Sequence, residues 1–180
     1  AIMAGANREY FNPENLNVWD KNEKLKIVTH HWGTNKNKGF EIYEYIDKLI
    51  STDPWKDMIE FTFIGKLPKN YILTNSNIVT PLYGVELGDE LKKNNLYITG
   101  SLFEPSGNHH IEAAQCGLPI LYIKSGGTSE YCDSFGIPYS IDNLEEKIIL
   151  FMKNSSKYYE KMKTYSNDSK TMSKEFLDLF

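Results

Sequence analysis

Short apolar segments alternate with amphipathic ones along most of this chain, and that alternation limits the folds available to it. The segments "LKIVTHH" and "IEFTFIG" are apolar runs of strand length, whereas Phe40, Tyr43 and Ile46 recur at helical spacing. Strands followed by helices indicate βαβ units in a parallel sheet covered on both faces. We therefore predict an α/β fold with a doubly wound parallel sheet of about six strands. The predicted strands are 25–31, 59–65, 76–83, 96–101, 118–123 and 137–141, and the clearest predicted helices are 40–50, 88–94, 108–116 and 144–153.

The composition fits one globular domain and excludes several other classes. Hydrophobic residues make up 41% and charged residues 24% of the 180 positions, enough apolar material for a substantial core. The net charge of -4 comes without a basic stripe, so we predict no nucleic-acid partner. Apolar runs such as "LPILYI" are too short to cross a bilayer, so we predict no transmembrane segment. Cys116 and Cys132 lack zinc-like spacing, and we expect two reduced, buried thiols.

Three parts of the chain differ in character. Residues 1–24 begin with "AIMAGANREYFNPEN", which is typical of a loop within a longer protein, so we expect a linker that leads into a domain. Residues 25–154 form that predicted domain. Residues 155–180 are more polar but place Met172, Phe176 and Phe180 on one helix face. We expect this helical tail to dock on another part of a full-length protein.

The segment "GSLFEPSGNHHIEAAQCGLP", residues 100–119, holds two glutamates on either side of a glycine-bearing turn. It follows the fourth predicted strand, and doubly wound sheets bind ligands at the carboxyl ends of their strands. Pro105 favours an extended backbone at Glu104, and Gly107 lets the main chain approach a ligand closely. We expect Ser106 or Asn108 to cap the next helix.

The start of that helix suits a phosphate, because its free N–H groups and positive dipole end attract anions. Glu112 is predicted about one turn inside the helix. A carboxylate accepts two hydrogen bonds at once, which suits a pair of adjacent sugar hydroxyls. Two carboxylates beside a phosphate seat would match a nucleotide sugar, although the spacing alone also fits two solvated charges.

The same segment resembles the E-x7-E signature of retaining glycosyltransferases of family 4, also called the group 1 family. The matching positions are Glu104, Pro105, Gly107, Glu112, Ala113, Gly117 and Pro119. Four further matches occur in the family's order. "IMAGANREYFNP" resembles the linker into the C-terminal domain, and Lys38–Gly39 resembles the K-G that follows the first strand. Phe63–Gly65 resembles the I-V-G that ends the second strand, and "SGGTSE" resembles the G-G-x-x-E that follows the fifth.

This resemblance implies one half of a GT-B fold, in which two Rossmann-like domains face each other across a cleft. The chain would be the C-terminal, donor-binding half, and a missing N-terminal domain would bind a glycan, lipid or small-molecule acceptor. The final helix would cross back to that domain. The donor would be a UDP- or GDP-sugar, and no metal would be required. The full-length protein would be cytoplasmic, either free or peripheral to the membrane. The chain alone would be inactive.

The resemblance also assigns roles at the centre of the site. Glu104 would be the catalytic residue that meets the donor sugar, and Glu112 would hold the ribose hydroxyls. Lys38 would neutralise diphosphate charge. Backbone N–H groups around Ser106, Gly107, Asn108 and His109 would receive the sugar or diphosphate.

Residues outside this centre receive less specific roles. Gly126 and Gly127 would shape the loop beside the donor. Glu130 matches the acidic residue that follows them, and it would either contact the donor or only cap or brace that loop. The nucleotide base is expected near Gly65, where Tyr83 would stack on it.

One position departs from the family pattern. Many members carry an arginine five residues before the lysine as a second diphosphate cation, and Gly33 stands there in this chain. His30, His31, Lys36 or the missing domain would have to replace that charge. The alternative for His30, His31 and Lys36 is a purely structural role. Two other functions therefore stay open: a non-transferring GT-B enzyme such as a nucleotide-sugar epimerase, and a nucleotide-sugar-binding module without catalysis.

Overall fold

Six parallel strands form one sheet in the computed structural model, which describes residues 2–180. They are β1 (Leu25–His31), β2 (Ile59–Gly65), β3 (Asn77–Val79), β4 (Leu96–Thr99), β5 (Ile120–Tyr122) and β6 (Gly136–Pro138). Their order in the sheet is β3-β2-β1-β4-β5-β6, and every neighbouring pair is parallel. The predicted six-stranded parallel sheet is therefore confirmed.

Helices cover both faces of this sheet, as a doubly wound fold requires. They are α1 (Phe40–Leu49), α2 (Trp55–Met58), α3 (Gly84–Lys92), α4 (Asn108–Gln115), α5 (Thr128–Cys132), α6 (Leu144–Met162) and α7 (Ser169–Leu177). Helices α1, α2 and α6 share one apolar core with the sheet, and α3, α4 and α5 share the other. Ile27 and Val28 are consecutive in β1, yet each is fully buried in a different core. That arrangement explains why the strands are continuous apolar runs.

The strand order reverses between β1 and β4. The chain places β2 and β3 on one side of β1, and then returns to place β4, β5 and β6 on the other. A reversal of this kind leaves a crevice at the carboxyl ends of the two central strands, because their connections depart in opposite directions. The crevice therefore lies where the chain leaves His31 and Thr99.

Element boundaries differ from prediction where packing and local sequence disagree. β3 covers only Asn77–Val79 because it is an exposed edge strand and Pro81, which has no N–H, follows closely. Helix α3 begins four residues earlier than predicted, at Gly84, and α6 continues to Met162. Helix α6 thus joins the predicted domain to the predicted tail, with non-helical backbone at Asn154 (φ -122°, ψ 18°). The four-residue helix α2 was not predicted, since it is too short to show a period.

The N-terminal segment packs onto the domain and onto the start of α7. Phe11 and Trp19 are buried in the two cores. The N–H of Ser169 donates to the carbonyl oxygen of Ala6 at 2.9 Å, and the Asp168 carboxylate caps α7. The predicted linker and the predicted tail are therefore bonded to each other.

The apolar face predicted for the tail is present and exposed. None of the residues of α7 is buried, and Phe176 is 55% and Phe180 97% exposed. Ile2, Met172, Phe176 and Leu177 line a shallow apolar depression there. None of the helices formed by residues 2–180 combines the length and the apolar character needed to cross a membrane.

Gly39 should be required for stability, since its φ is +73° and a Cβ atom there would lie 2.1 Å from the carbonyl oxygen of Gly100. We predict that Gly39→Ala lowers the free energy of unfolding by at least about 2 kcal/mol, because it adds backbone strain to overpacking. Gly33→Ala is the matched control, since its Cβ would meet nothing closer than 3.6 Å. Urea denaturation of both variants is the measurement, and equal losses would contradict the prediction.

Candidate functional site

A cleft of about 290 Å³ opens at the carboxyl ends of β1 and β4, where the strand order reverses. Its lining residues are His30, His31, Trp32, Gly33, Lys38, Glu104, Ser106, Gly107, Asn108, His109 and Glu112. Eight of the residues predicted from the sequence are in this set: Gly33, Lys38, Glu104, Ser106, Gly107, Asn108, His109 and Glu112. The predictions that Glu104 follows the fourth strand and that Glu112 lies on the next helix are confirmed.

Close contact between two loops brings Lys38 to Glu104. The backbone of Gly39, after β1, lies against that of Gly100, after β4, and the N–H of Leu102 donates to the carbonyl oxygen of Asn37 at 2.7 Å. The ammonium of Lys38 then lies 2.5 Å from the Glu104 carboxylate. Both side chains are largely buried, so water screens the pair less than it would on an open surface. Within residues 2–180, Lys38 is the only Lys or Arg that lines the cleft.

The first turn of α4 faces the cleft without a side-chain cap. The expectation that Ser106 or Asn108 caps the helix is wrong: Gly107 occupies the cap position, and no side chain accepts a hydrogen bond there. A Cβ atom on Gly107 would come within 2.7 Å of the Glu104 side chain and 2.6 Å of that of His109, so a larger residue would displace both. The uncapped N–H groups and the positive end of the helix dipole suit an anion.

Glu112 is held in place by His30. Nε2 of His30 lies 2.8 Å from the Glu112 carboxylate, and Nδ1 lies 3.2 Å from the hydroxyl of Tyr97. The side chain of His30 is 1% exposed, whereas that of Glu112 is 21% exposed and reaches the cleft. A buried chain of polar groups therefore runs from β4 through β1 to the helix that carries Glu112.

Three further histidines lie at or behind the cleft and have lowered pKa values: His31 and His109 line it, and His110 does not. Burial, followed by nearby positive charges, lowers the pKa of His31 and His109 well below the usual value. The same two causes lower the pKa of His110 to about 4. His31 lies 2.5 Å from the hydroxyl of Tyr43, and His109 lies 2.9 Å from that of Thr99, but neither ring nitrogen of His110 has a hydrogen-bond partner within residues 2–180.

The glycine loop after β5 supports Glu104 from behind. The N–H of Gly127 donates to the carbonyl oxygen of Glu104 at 2.7 Å. Cβ atoms on Gly126 and Gly127 would collide with the backbone of Glu104 and Pro105 at 2.5 Å and 2.1 Å. Neither glycine lines the cleft, and Glu130 is exposed on α5, also outside it. Within this structure the loop positions Glu104, and a direct contact of Glu130 with a ligand stays a prediction.

Trp32 is a cleft residue that the sequence analysis missed. Tyr83, for which base stacking was predicted, lies just outside the cleft and is 67% exposed. Its ring stacks on the indole of Trp32, with 4.9 Å between the ring centroids. The available signal was an aromatic residue directly after the end of a strand, a position that faces the ligand side of such a sheet.

Among the cleft residues of 2–180, no second Lys or Arg replaces the family's arginine. Lys36 is exposed and does not line it. His31 lines it but has a lowered pKa, and His30 is bonded to Glu112. No group of three or more His, Cys, Asp or Glu within residues 2–180 is arranged to hold a metal ion.

Comparisons with known proteins give one family match. The sequence model for the family described as glycosyl transferases group 1 matches residues 60–169, more than half of the chain. No curated protein matches the sequence.

Solved structures share the fold at low sequence identity. Sucrose-phosphate synthase from Thermosynechococcus elongatus superposes with a TM-score of 0.72 at 16% identity, over 99% of this chain and 51% of that protein. The C-terminal domain of LpcC, a glycosyl transferase group 1 family protein from Francisella tularensis, gives 0.64 at 16% identity over 96% and 98%. Anabaena HepE, in complex with UDP and glucose, gives 0.67 at 16% identity over 89% and 49%. The chain spans about half the length of the first and third relatives, and its sheet is one Rossmann-like half of a GT-B fold.

We predict that stability falls as the pH drops below about 6.5, the ordinary histidine pKa. His31, His109 and His110 have lowered pKa values in the folded chain, so the unfolded chain binds more protons as the pH falls through this range. The free energy of unfolding continues to fall until the pH reaches the lowered pKa values of the folded chain. Its slope is about 1.4 kcal/mol per pH unit for each fully titrating histidine. Urea denaturation at pH 7.5 and 5.5 measures it, and His110→Leu should flatten the slope. A stability that is constant or rises on acidification would contradict the prediction.

Proposed function

The chain belongs to the glycosyl transferases group 1 family, and on that basis we propose that it is the donor-binding half of a retaining glycosyltransferase. It binds a nucleotide sugar, either a UDP- or a GDP-sugar, and the whole protein transfers a hexose-type sugar to a glycan, lipid or small-molecule acceptor. The observation that carries the proposal is the convergence of Lys38, Glu104 and Glu112 on one cleft beside the uncapped start of α4.

In this proposal the diphosphate lies at the start of α4. The first-turn N–H groups donate to its oxygens, and Lys38 adds the positive charge. Lys38 pairs with Glu104 in this structure, and in the proposal donor binding exchanges these partners: the diphosphate takes Lys38, and sugar hydroxyls take Glu104. The exchange keeps both charges paired, which a partly buried site requires.

The two sugars lie on either side of the diphosphate. Glu112, one turn into α4, accepts hydrogen bonds from the ribose hydroxyls, and Glu104 accepts them from the donor sugar. The two carboxylates enter the cleft from different elements, the loop after β4 and helix α4, which supports a separate role for each. The UDP and glucose in the HepE complex support a donor of this class.

Catalysis in this proposal depends mainly on charge. The sugar–phosphate bond breaks as the acceptor attacks from the same face, and the leaving diphosphate takes up the acceptor proton. The start of α4 and Lys38 stabilise the negative charge that develops on the diphosphate, without a bound metal. Glu104 orients the sugar, and much of the remaining rate comes from positioning the acceptor.

The acceptor binds to a second domain across the cleft. This chain matches about half of the length of sucrose-phosphate synthase and of HepE, and nearly all of the isolated C-terminal domain of LpcC. These matches support a protein of two domains. The exposed apolar face of α7 supports contact with that domain. The whole protein is proposed to be cytoplasmic, in keeping with two buried cysteines that form no disulfide.

A second candidate is a nucleotide-sugar-binding module without transfer activity. It is favoured by Gly33, which stands where the family's second diphosphate cation is expected, and by the finding that Lys38 is the only Lys or Arg among the cleft residues of 2–180. Such a protein would bind the donor but release no sugar with any acceptor. Labelled-sugar release by a longer protein containing the partner domain distinguishes the two.

We predict that Glu112→Ala weakens UDP or GDP binding by up to a few kcal/mol, the range for hydrogen bonds to a charged group. Titration calorimetry on the 180-residue chain measures the change. Glu86→Ala, which removes an exposed glutamate on the neighbouring helix α3, is the matched control and should bind as the parent does. If Glu112→Ala and parent bind both nucleotides equally, the ribose role is wrong.

Glu104→Ala should reduce turnover without weakening nucleotide binding. It leaves Lys38 free for the diphosphate, so we predict UDP or GDP affinity equal to or above that of the parent. In a longer protein with the acceptor domain, the same change should reduce turnover by about 100-fold or more, the scale for loss of a preorganised polar contact at the reacting sugar.

Glu41→Ala on α1 is the surface control for both measurements, since Glu41 is exposed. Normal turnover of the Glu104→Ala enzyme would contradict the sugar-contact role. Loss of nucleotide affinity as large as that of Glu112→Ala would show that the two carboxylates are not divided between the two sugars.

A further inference from the structure

We propose that His30, held by Tyr97, is a positioning residue that fixes the orientation of the Glu112 carboxylate towards the nucleotide ribose. The proposal rests on the proposed function, in which Glu112 is the ribose contact. It gives the buried contact between His30 and Glu112 a role in ligand binding. The histidine acts through Glu112 and does not itself touch the ligand's reacting atoms.

The hydrogen bonds around His30 favour one tautomer of its ring. The Tyr97 hydroxyl accepts from the backbone N–H of His30 at 3.3 Å, and its own proton has two acceptors within reach: Nδ1 of His30 at 3.2 Å and the carbonyl oxygen of His30 at 3.5 Å. We assign the proton to the nearer acceptor, Nδ1. In this assignment Nε2 carries the ring proton and donates it to the Glu112 carboxylate at 2.8 Å. In this series of hydrogen bonds, the Tyr97 hydroxyl donates to Nδ1 of His30, and Nε2 of His30 donates to Glu112.

Glu112 has little else to hold it. A glutamate side chain has three rotatable bonds, and this one is partly exposed at the edge of a cleft. Within residues 2–180, His30 is the only side chain that forms a hydrogen bond or ion pair with it. One carboxylate oxygen is therefore fixed by the protein, and the other is left to accept from a ligand hydroxyl. Fixing a contact group before binding lowers the entropy lost on binding.

The anchor itself is rigid. His30 lies at the end of the central strand β1 and Tyr97 lies in the neighbouring strand β4, and both side chains are almost fully buried. Of the four histidines in this region, only His30 contacts a carboxylate; His31 and His109 bond to hydroxyls, and His110 has no partner within residues 2–180. His110→Leu is thus a matched control that removes a buried imidazole without touching Glu112.

The test compares two ligands that differ only at the ribose. UDP and GDP carry both ribose hydroxyls, and their 2′,3′-dideoxy counterparts lack them. We expect His30→Leu to weaken binding of the hydroxyl-bearing nucleotide at least tenfold and to leave the dideoxy affinity within about threefold. A merely structural lesion would weaken both ligands alike. Titration calorimetry on the 180-residue chain gives the four affinities, and His110→Leu should match the parent with each ligand.

Rescue and non-additivity make the assignment specific. His30→Gln keeps an N–H donor near the position of Nε2, so it should recover UDP affinity to within about threefold of the parent. Adding His30→Leu to Glu112→Ala should cause no further loss, because residues that act through one contact are not additive. Tyr97→Phe should show a weaker form of the same ribose-dependent loss.

The outcomes separate the two proposals. If Glu112→Ala loses no affinity, the ribose role fails and the positioning proposal fails with it. If Glu112→Ala loses affinity but His30→Leu does not, or loses it equally for the dideoxy ligand, only the positioning proposal is overturned. If His30→Leu does not fold, imidazole ¹⁵N NMR of the parent decides: the proposal requires protonation at Nε2 of His30, and a shift of that signal in Glu112→Gln. Protonation at Nδ1 would contradict it.

Discussion

The candidate site depends on the close approach of the loops that follow β1 and β4. Gly39 and Gly100 touch backbone to backbone, and the bond from Leu102 to Asn37 joins the loops beyond that point. Because β1 and β4 are the central strands on either side of the order reversal, this contact forms across the crevice where a doubly wound sheet binds ligands. The contact places Lys38 beside Glu104, and the glycine loop after β5 supports Glu104 from behind.

Each charged side chain in the cleft has a partner within the protein. Two carboxylates face one lysine, which is unfavourable unless each is compensated. Glu104 pairs with Lys38, and Glu112 accepts from His30. The neighbouring histidines His31 and His109 remain neutral because burial lowers their pKa. Within residues 2–180, Lys38 is the only Lys or Arg in the cleft, and it lies beside the positive end of the α4 dipole. The exchange of Lys38 between Glu104 and a diphosphate is therefore the central event of the binding that we propose.

The sheet and the main cleft residues could be predicted from the sequence because both are determined locally. Strands covered on both faces are rich in apolar residues on both faces, and the bounds of β1 and β2 were predicted residue for residue. Glu104 and Glu112 belong to one short segment of the sequence. Lys38 follows β1, and parallel strands bring their carboxyl ends together, so Lys38 could be predicted at the same site. The bond between His30 and Glu112 joins residues 82 positions apart, and no pattern indicates it. The prediction that Ser106 or Asn108 caps α4 was wrong because Gly107 occupies the cap position. A Cβ atom at that position would meet the side chains of Glu104 and His109, and these contacts depend on tertiary packing.

The most direct test of the central claim is a crystal structure of the 180-residue chain with bound UDP or GDP. We predict the diphosphate at the first turn of α4 with Lys38 turned towards it, and the ribose hydroxyls within hydrogen-bond distance of Glu112. We also predict that Glu112 keeps its bond to His30, whereas Glu104 no longer pairs with Lys38. A nucleotide bound outside the cleft, or inside it with the ribose at Glu104, would contradict the account.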